Sequence, residues 1–147
     1  MSEIRKSWVA RLSRRTAAWT TATFGLFALA AAGVVAQAAL SPAALVGKWQ
    51  GVERTGPIAI AGQVLFFQNG TYQRYHVAGA LQAIDTGSFQ VAQNWIHFYV
   101  TDYQPKSYEG KRLAPPPSDT WVVSGFNGNA LAATIGGVTQ IQYQRTN

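Results

Sequence analysis

From residue 45 onward, apolar and polar side chains alternate with a period of two in short runs broken by Gly, Asn and Pro. That pattern predicts strands joined by tight turns. Residues 48–54 form the first, ended by Thr55, Gly56 and Pro57; residues 58–62 read either as loop or as part of the next strand. Residues 63–68 and 71–77 flank Asn69-Gly70, a pair that tolerates positive φ at both central positions of a hairpin turn. A two-residue turn there would pair Phe67 with Tyr72 and Leu65 with Arg74. Residues 86–91 and 95–100 form a second hairpin over Ala92, Gln93 and Asn94. Alternation puts Ile96, Phe98 and Val100 on one face of its second strand and Trp95, His97 and Tyr99 on the other. Residues 119–124, 130–135 and 138–145 complete the set.

About eight strands, Gly and Asn turns and no convincing helix in this part predict an all-β domain, a small antiparallel up-and-down β-barrel. At eight strands a barrel is either just filled by side chains or holds one small ligand. Ser41-Pro42-Ala43-Ala44 ahead of it suits one helical turn with Pro at its start. Residues 101–118, with three consecutive prolines at 115–117, read as a long irregular excursion of the kind that often carries function.

Residues 1–38 follow another pattern. A basic stretch to Arg15 precedes the uncharged, Ala-rich run 16–47, whose most apolar part is 24–36. The small residues of Ala36-Gln37-Ala38 suit a signal-peptidase site. The order predicts a helical export signal cleaved after Ala38, leaving a barrel domain at 39–147 that is periplasmic or secreted. Retained, residues 17–40 would instead be a membrane anchor, the one route by which a membrane enters the picture. Ser13-Arg14-Arg15 partly matches the twin-arginine motif, with Ala17 where a bulky apolar residue is usual, so both export routes stay open.

The 147 residues hold 12 Lys and Arg against 6 Asp and Glu, a formal charge of +6. Residues 1–15 carry +4 of it. The remaining +2 is no phosphate-binding footprint, so nucleic acid is not an expected partner. Cysteine is absent, which excludes disulfides and thiolate metal sites.

The opening Leu45-x-Gly47-x-Trp49 and the hairpin Phe67-x-x-Gly70-Thr71-Tyr72 lead into Gly87-x-Phe89-x-Val91, Ile96-x-Phe98 and a closing Tyr143-x-Arg145. Together these resemble the small bacterial lipocalin-like (calycin-type) domains. The resemblance implies a barrel whose opening Trp49 packs at the closed end under Arg145, a structural cation–π pair worth roughly 0.5–2 kcal/mol. Gly47, ahead of Trp49, would let the backbone pass close to the indole.

Candidate chemistry is thin. His76 and His97 lie on different predicted hairpins, Ser88 and Ser124 lack nucleophile-elbow spacing, and two His with a carboxylate such as Asp85 lack ligand spacing. The acidic residues, taken as scattered over loops, show no paired-carboxylate pattern. The expectation is a non-enzymatic binding protein with no metal and no cofactor. In the first version Tyr72, Phe89, Phe98 and Trp121 line a barrel that binds a small apolar molecule. In the alternative these residues are a packed core. The protein then binds an envelope protein through Trp95, His97 and Tyr99, with Tyr103, Tyr108, Lys111 and Arg112 of the excursion beside them.

Overall fold

The computed structural model describes residues 38–146. The export signal read over 1–38 lies, except for Ala38, outside the described residues.

The barrel closes. Its eight strands are β1 (Gly47–Thr55), β2 (Ile58–Phe66), β3 (Thr71–Ala78), β4 (Leu81–Ala92), β5 (Trp95–Gln104), β8 (Asp119–Phe126), β9 (Ala130–Ile135) and β10 (Thr139–Thr146). Each pairs antiparallel with the next, and β1 returns to β10 with Trp49 opposite Arg145. The short strands β6 (Ser107–Tyr108) and β7 (Lys111–Arg112) pair only with each other. This is the all-β, eight-stranded, up-and-down architecture expected from the alternation, and closure gives each of the eight barrel strands a neighbour on both sides.

Four local expectations change. Residues 58–62 belong to β2, so β1 and β2 meet over a tight Gly56-Pro57 turn. In the next hairpin Phe66, not Phe67, faces Tyr72, and Leu65 faces Gln73. The loop is Gln68-Asn69-Gly70, closed by Phe67 N–H donating to Thr71 O. Asn69 Oδ1 accepts the N–H and hydroxyl of Thr71, and of the turn residues only Gly70 takes a positive φ, +78°. A three-residue turn with glycine in the left-handed position therefore replaces the two-residue one. The shift of one residue turns Phe67 outward, 41% exposed, and Phe66 into the core.

Conversely the β4–β5 turn is shorter than expected. Ala92 pairs with Trp95, so only Gln93 and Asn94 are in the loop, and β8 takes the Asn94 carbonyl through Val123 N–H. The excursion 101–118 is also more ordered than its composition suggests. Its first four residues extend β5, and Leu113 N–H closes the β6–β7 hairpin onto Lys106 O.

One end of the barrel is plugged. The single turn α1 (Pro42–Leu45) is capped by the Ser41 side chain, which accepts Ala44 N–H, and it delivers a fully buried Leu45. Trp49 Nε1 donates to Leu45 O at 2.7 Å. Arg145 covers the ring. Gly47 has a different role from the one expected. At φ +126° a Cβ would sit 2.8 Å from Arg145 Nη1, so glycine makes room for the guanidinium rather than the indole.

Candidate functional site

Inward positions change character along the barrel axis. Next to the plug they are apolar. Midway they are aromatic, and toward the β1–β2 and β3–β4 turns they are charged.

The aromatic level contains the four residues expected to line a ligand cavity. Tyr72 and Phe98 meet edge to face at 4.8 Å, Phe98 and Trp121 lie 4.8 Å apart, and Phe66 stands between Phe89 and Phe98. Trp121 also leans on Tyr143 at 5.4 Å. Tyr72, Phe89, Phe98 and Trp121 are each at most 5% exposed. They form one continuous stack, each ring held by others from neighbouring or facing strands. Within it the Trp121 indole N–H is buried without a hydrogen-bond acceptor among the described residues. Such a donor costs roughly 1–3 kcal/mol when left unmet.

Above the rings lies a charged cluster. Arg74, 3% exposed, donates Nε to Asp85 at 3.0 Å and Nη1 to Asp119 at 3.0 Å. Tyr72 OH donates to the same Asp85 oxygen at 2.9 Å. The guanidinium rests 4.5 Å from the centre of the Phe98 ring, so the aromatic level supports it. Beside this pair, Glu53 Oε1 takes His76 Nε2 and Tyr143 OH, both at 3.1 Å. Tyr143 stands opposite Gly51, and a Cβ on Gly62 would meet its hydroxyl at 1.9 Å. Bare glycine in β2 is what lets the phenol reach across.

Mutual pairing sets the charge states. Burial alone would raise the Glu53 carboxyl; the charge and hydrogen bond of His76 reverse this and lower it to about 2. Burial alone would lower His76, and Glu53 raises it instead. Burial likewise opposes the Arg74 charge, but Asp119 and Asp85 hold it. Burial and the adjoining carboxylates push both Tyr72 and Tyr143 upward, so the two phenols remain donors.

The outer wall carries the second expected constellation. Trp95 is 52% and Tyr99 41% exposed, on the face opposite Ile96 and Phe98, as alternation predicts. His97 lies between them, its ring 4.4 Å from Tyr99 and its Nδ1 bonded to Thr120 of β8. Across the β5–β8 seam Val122, 40% exposed, pairs with Trp95. Tyr103, Tyr108, Lys111 and Arg112 divide differently. Tyr103 donates to Leu113 O at 3.0 Å under the Lys106 ammonium, whereas Tyr108, Lys111 and Arg112 sit on the β6–β7 hairpin. The excursion thus folds onto itself through Tyr103.

Glu53, Arg74, Asp85, Asp119 and Tyr143 did not stand out in the sequence as a group. The expectation that acidic residues scatter over loops is corrected: Glu53, Asp85 and Asp119 lie on strands and face inward. The readable signal was parity, since Arg74 alternates with the inward Tyr72. His76 shares that inward face while His97 points outward, which separates the two imidazoles. Among the described residues no group of three or more His, Cys, Asp and Glu is placed to hold a metal ion. No protein-family model matches this sequence, and no curated protein matches it.

Proposed function

We propose that this chain is a lipocalin-like barrel occupied by its own side chains, acting as a non-enzymatic binding module of the bacterial cell envelope. Its contact surface is the outward face of β5 and β8. The observation that carries this is the exposed Trp95 with Val122 beside it across the seam, and the exposed Tyr99 beyond His97 on the same outward face, on a wall whose inward side chains are buried. Large apolar side chains grouped on a surface mark interaction sites more often than solvated wall, and aromatic rings are the usual anchors. The partner is an envelope protein, met after export.

The test is site-specific photocrosslinking in cells that export the protein. A crosslinker at position 99 is expected to trap one dominant protein, and Trp95→Ala to reduce that adduct about tenfold. A crosslinker at Gln142, on another wall, should trap none of it. An empty lane at position 99, or equal adducts at both positions, would overturn the proposal.

A second reading, a small apolar molecule held among Tyr72, Phe89, Phe98 and Trp121, draws support from one observation. The buried Trp121 N–H is a donor that a ligand oxygen would satisfy. Native mass spectrometry followed by denaturing extraction tests it: a reproducible extra mass released as a small molecule supports this reading, and a bare chain removes it.

A further inference from the structure

A different wall of the barrel carries a surface of another kind. Outward positions of β1 run Lys48, Gln50, Val52, Arg54. In the register, Gln144 of β10 and Gln63 of β2 flank Gln50, while Gln142 and Ala61 flank Val52. Gln50 Nε2 donates to Gln63 Oε1 at 3.0 Å, so neighbouring carboxamides are already aligned across the seam. Tyr75 continues the middle row on β3, opposite Gln63.

Three features of this wall stand together. Small residues, Ala59 and Ala61, occupy two of the outward positions of β2 beside the amides, so no bulky side chain separates the carboxamides there from solvent. No acidic side chain points outward from β1, β2, β3, β9 or β10. The cations Lys48 and Arg54 end the row without an ion-pair partner among the described residues. At ~3.3 Å per residue they stand about 20 Å apart along the strand. Ordinary protein surfaces intersperse both signs of charge. Here the amides between the cations offer paired donors and acceptors instead.

We infer that this wall binds an acidic polysaccharide. Sugar hydroxyls are both donors and acceptors, which matches carboxamides in number and kind. Carboxylates spaced along the chain match two cations separated by a neutral stretch. Tyr75 at the edge supplies a face for a pyranose ring. A neutral glycan would leave Lys48 and Arg54 unused, and a plain polyanion would leave the amides unused.

The experiment is an NMR titration of the purified protein, following the side-chain amide signals of glutamine, with three probes of equal length. These are a polyuronate oligomer, a neutral β-glucan oligomer and polyglutamate. The polyuronate is expected to shift Gln50, Gln63, Gln142 and Gln144, with at least tenfold weaker binding for each of the other two. Gln50→Ala with Gln144→Ala should reduce polyuronate affinity about tenfold at unchanged backbone spectrum. Lys48→Gln with Arg54→Gln should remove most of its salt dependence. Equal binding of polyglutamate would reduce the site to non-specific charge and overturn the inference. So would equal binding of the neutral glucan, shifts confined to the Trp95 indole, or no shift at all.

Discussion

Arg145 lies with its guanidinium carbon 4.5 Å from the centre of the Trp49 ring, on the strand that closes the barrel against the strand bearing that tryptophan. The same side chain donates to the carbonyls of Gly128, Val46 and Ala44. It therefore ties the first helical turn, the start of β1 and the β8–β9 connection into one plug. Three charged-donor bonds converge with one ring contact on a partly buried group.

Arg145→Ala removes all four interactions and is expected to cost about 3 kcal/mol, less than their simple sum because neighbouring contacts do not add. Arg145→Lys retains the charge but cannot span three carbonyls, and should recover less than half. Urea unfolding followed by Trp fluorescence measures both. A lysine variant as stable as the parent would mean that the hydrogen-bond fork contributes nothing.

Gly62→Ala places a methyl group where the Tyr143 hydroxyl lies. The expected cost is roughly 1–3 kcal/mol, from overpacking and from displacing the phenol off Glu53. Tyr143→Phe in the same chain removes the clashing oxygen, so the double variant should lose less than the sum of the singles. A thermodynamic cycle reads the coupling. Strict additivity would sink this account of why β2 carries glycine there.

The Glu53–His76 pair predicts a stability curve with two limbs. Glu53 is lowered, so its contribution is complete above the unfolded value of 4.5 and is lost as pH falls toward about 2. His76 is raised, so its contribution is complete below the unfolded value of 6.5 and is lost as pH rises through the folded one. The pair is strongest between about pH 4.5 and 6.5. Because each shift is caused by the other partner, His76→Gln and Glu53→Gln should each flatten both limbs relative to the parent. The readout is the difference in unfolding free energy between parent and variant from pH 3 to 9. A difference independent of pH would refute the pairing.

Removing a buried charge is costly according to what remains unpaired. Arg74→Met leaves Asp85 and Asp119 facing each other inside the barrel and should cost roughly 3–5 kcal/mol. Asp85→Asn leaves Arg74 its bond to Asp119 and should cost less. Thermal unfolding at one pH ranks the two, and the reverse order would contradict the shared-cation geometry.

The closed barrel was legible because alternation is a local property. Ile96 and Phe98 against Trp95 and Tyr99 separate into inside and outside by counting by twos, and the structure agrees. The one-residue slip at Asn69-Gly70 was not legible, since the outcome depends on the Asn69 side chain taking Thr71 as its partner. Counting by twos also places Arg74 inward with Tyr72, but does not say what meets it there. Asp85 comes from the adjacent strand, and Asp119 comes from across an excursion whose path the composition did not reveal.

What the sequence by itself determined is the class of fold, the count of about eight strands and the faces of residues 95–99 in β5. These follow from side-chain period and turn chemistry, which act over a few residues. Only the tertiary structure decided that the ring-lined interior is a continuous stack, that three carboxylates share it with Arg74 and His76, and that the glutamines of three strands align into one row. Each depends on register between strands far apart in the chain. Closure sets that register, because every strand must satisfy two neighbours at once.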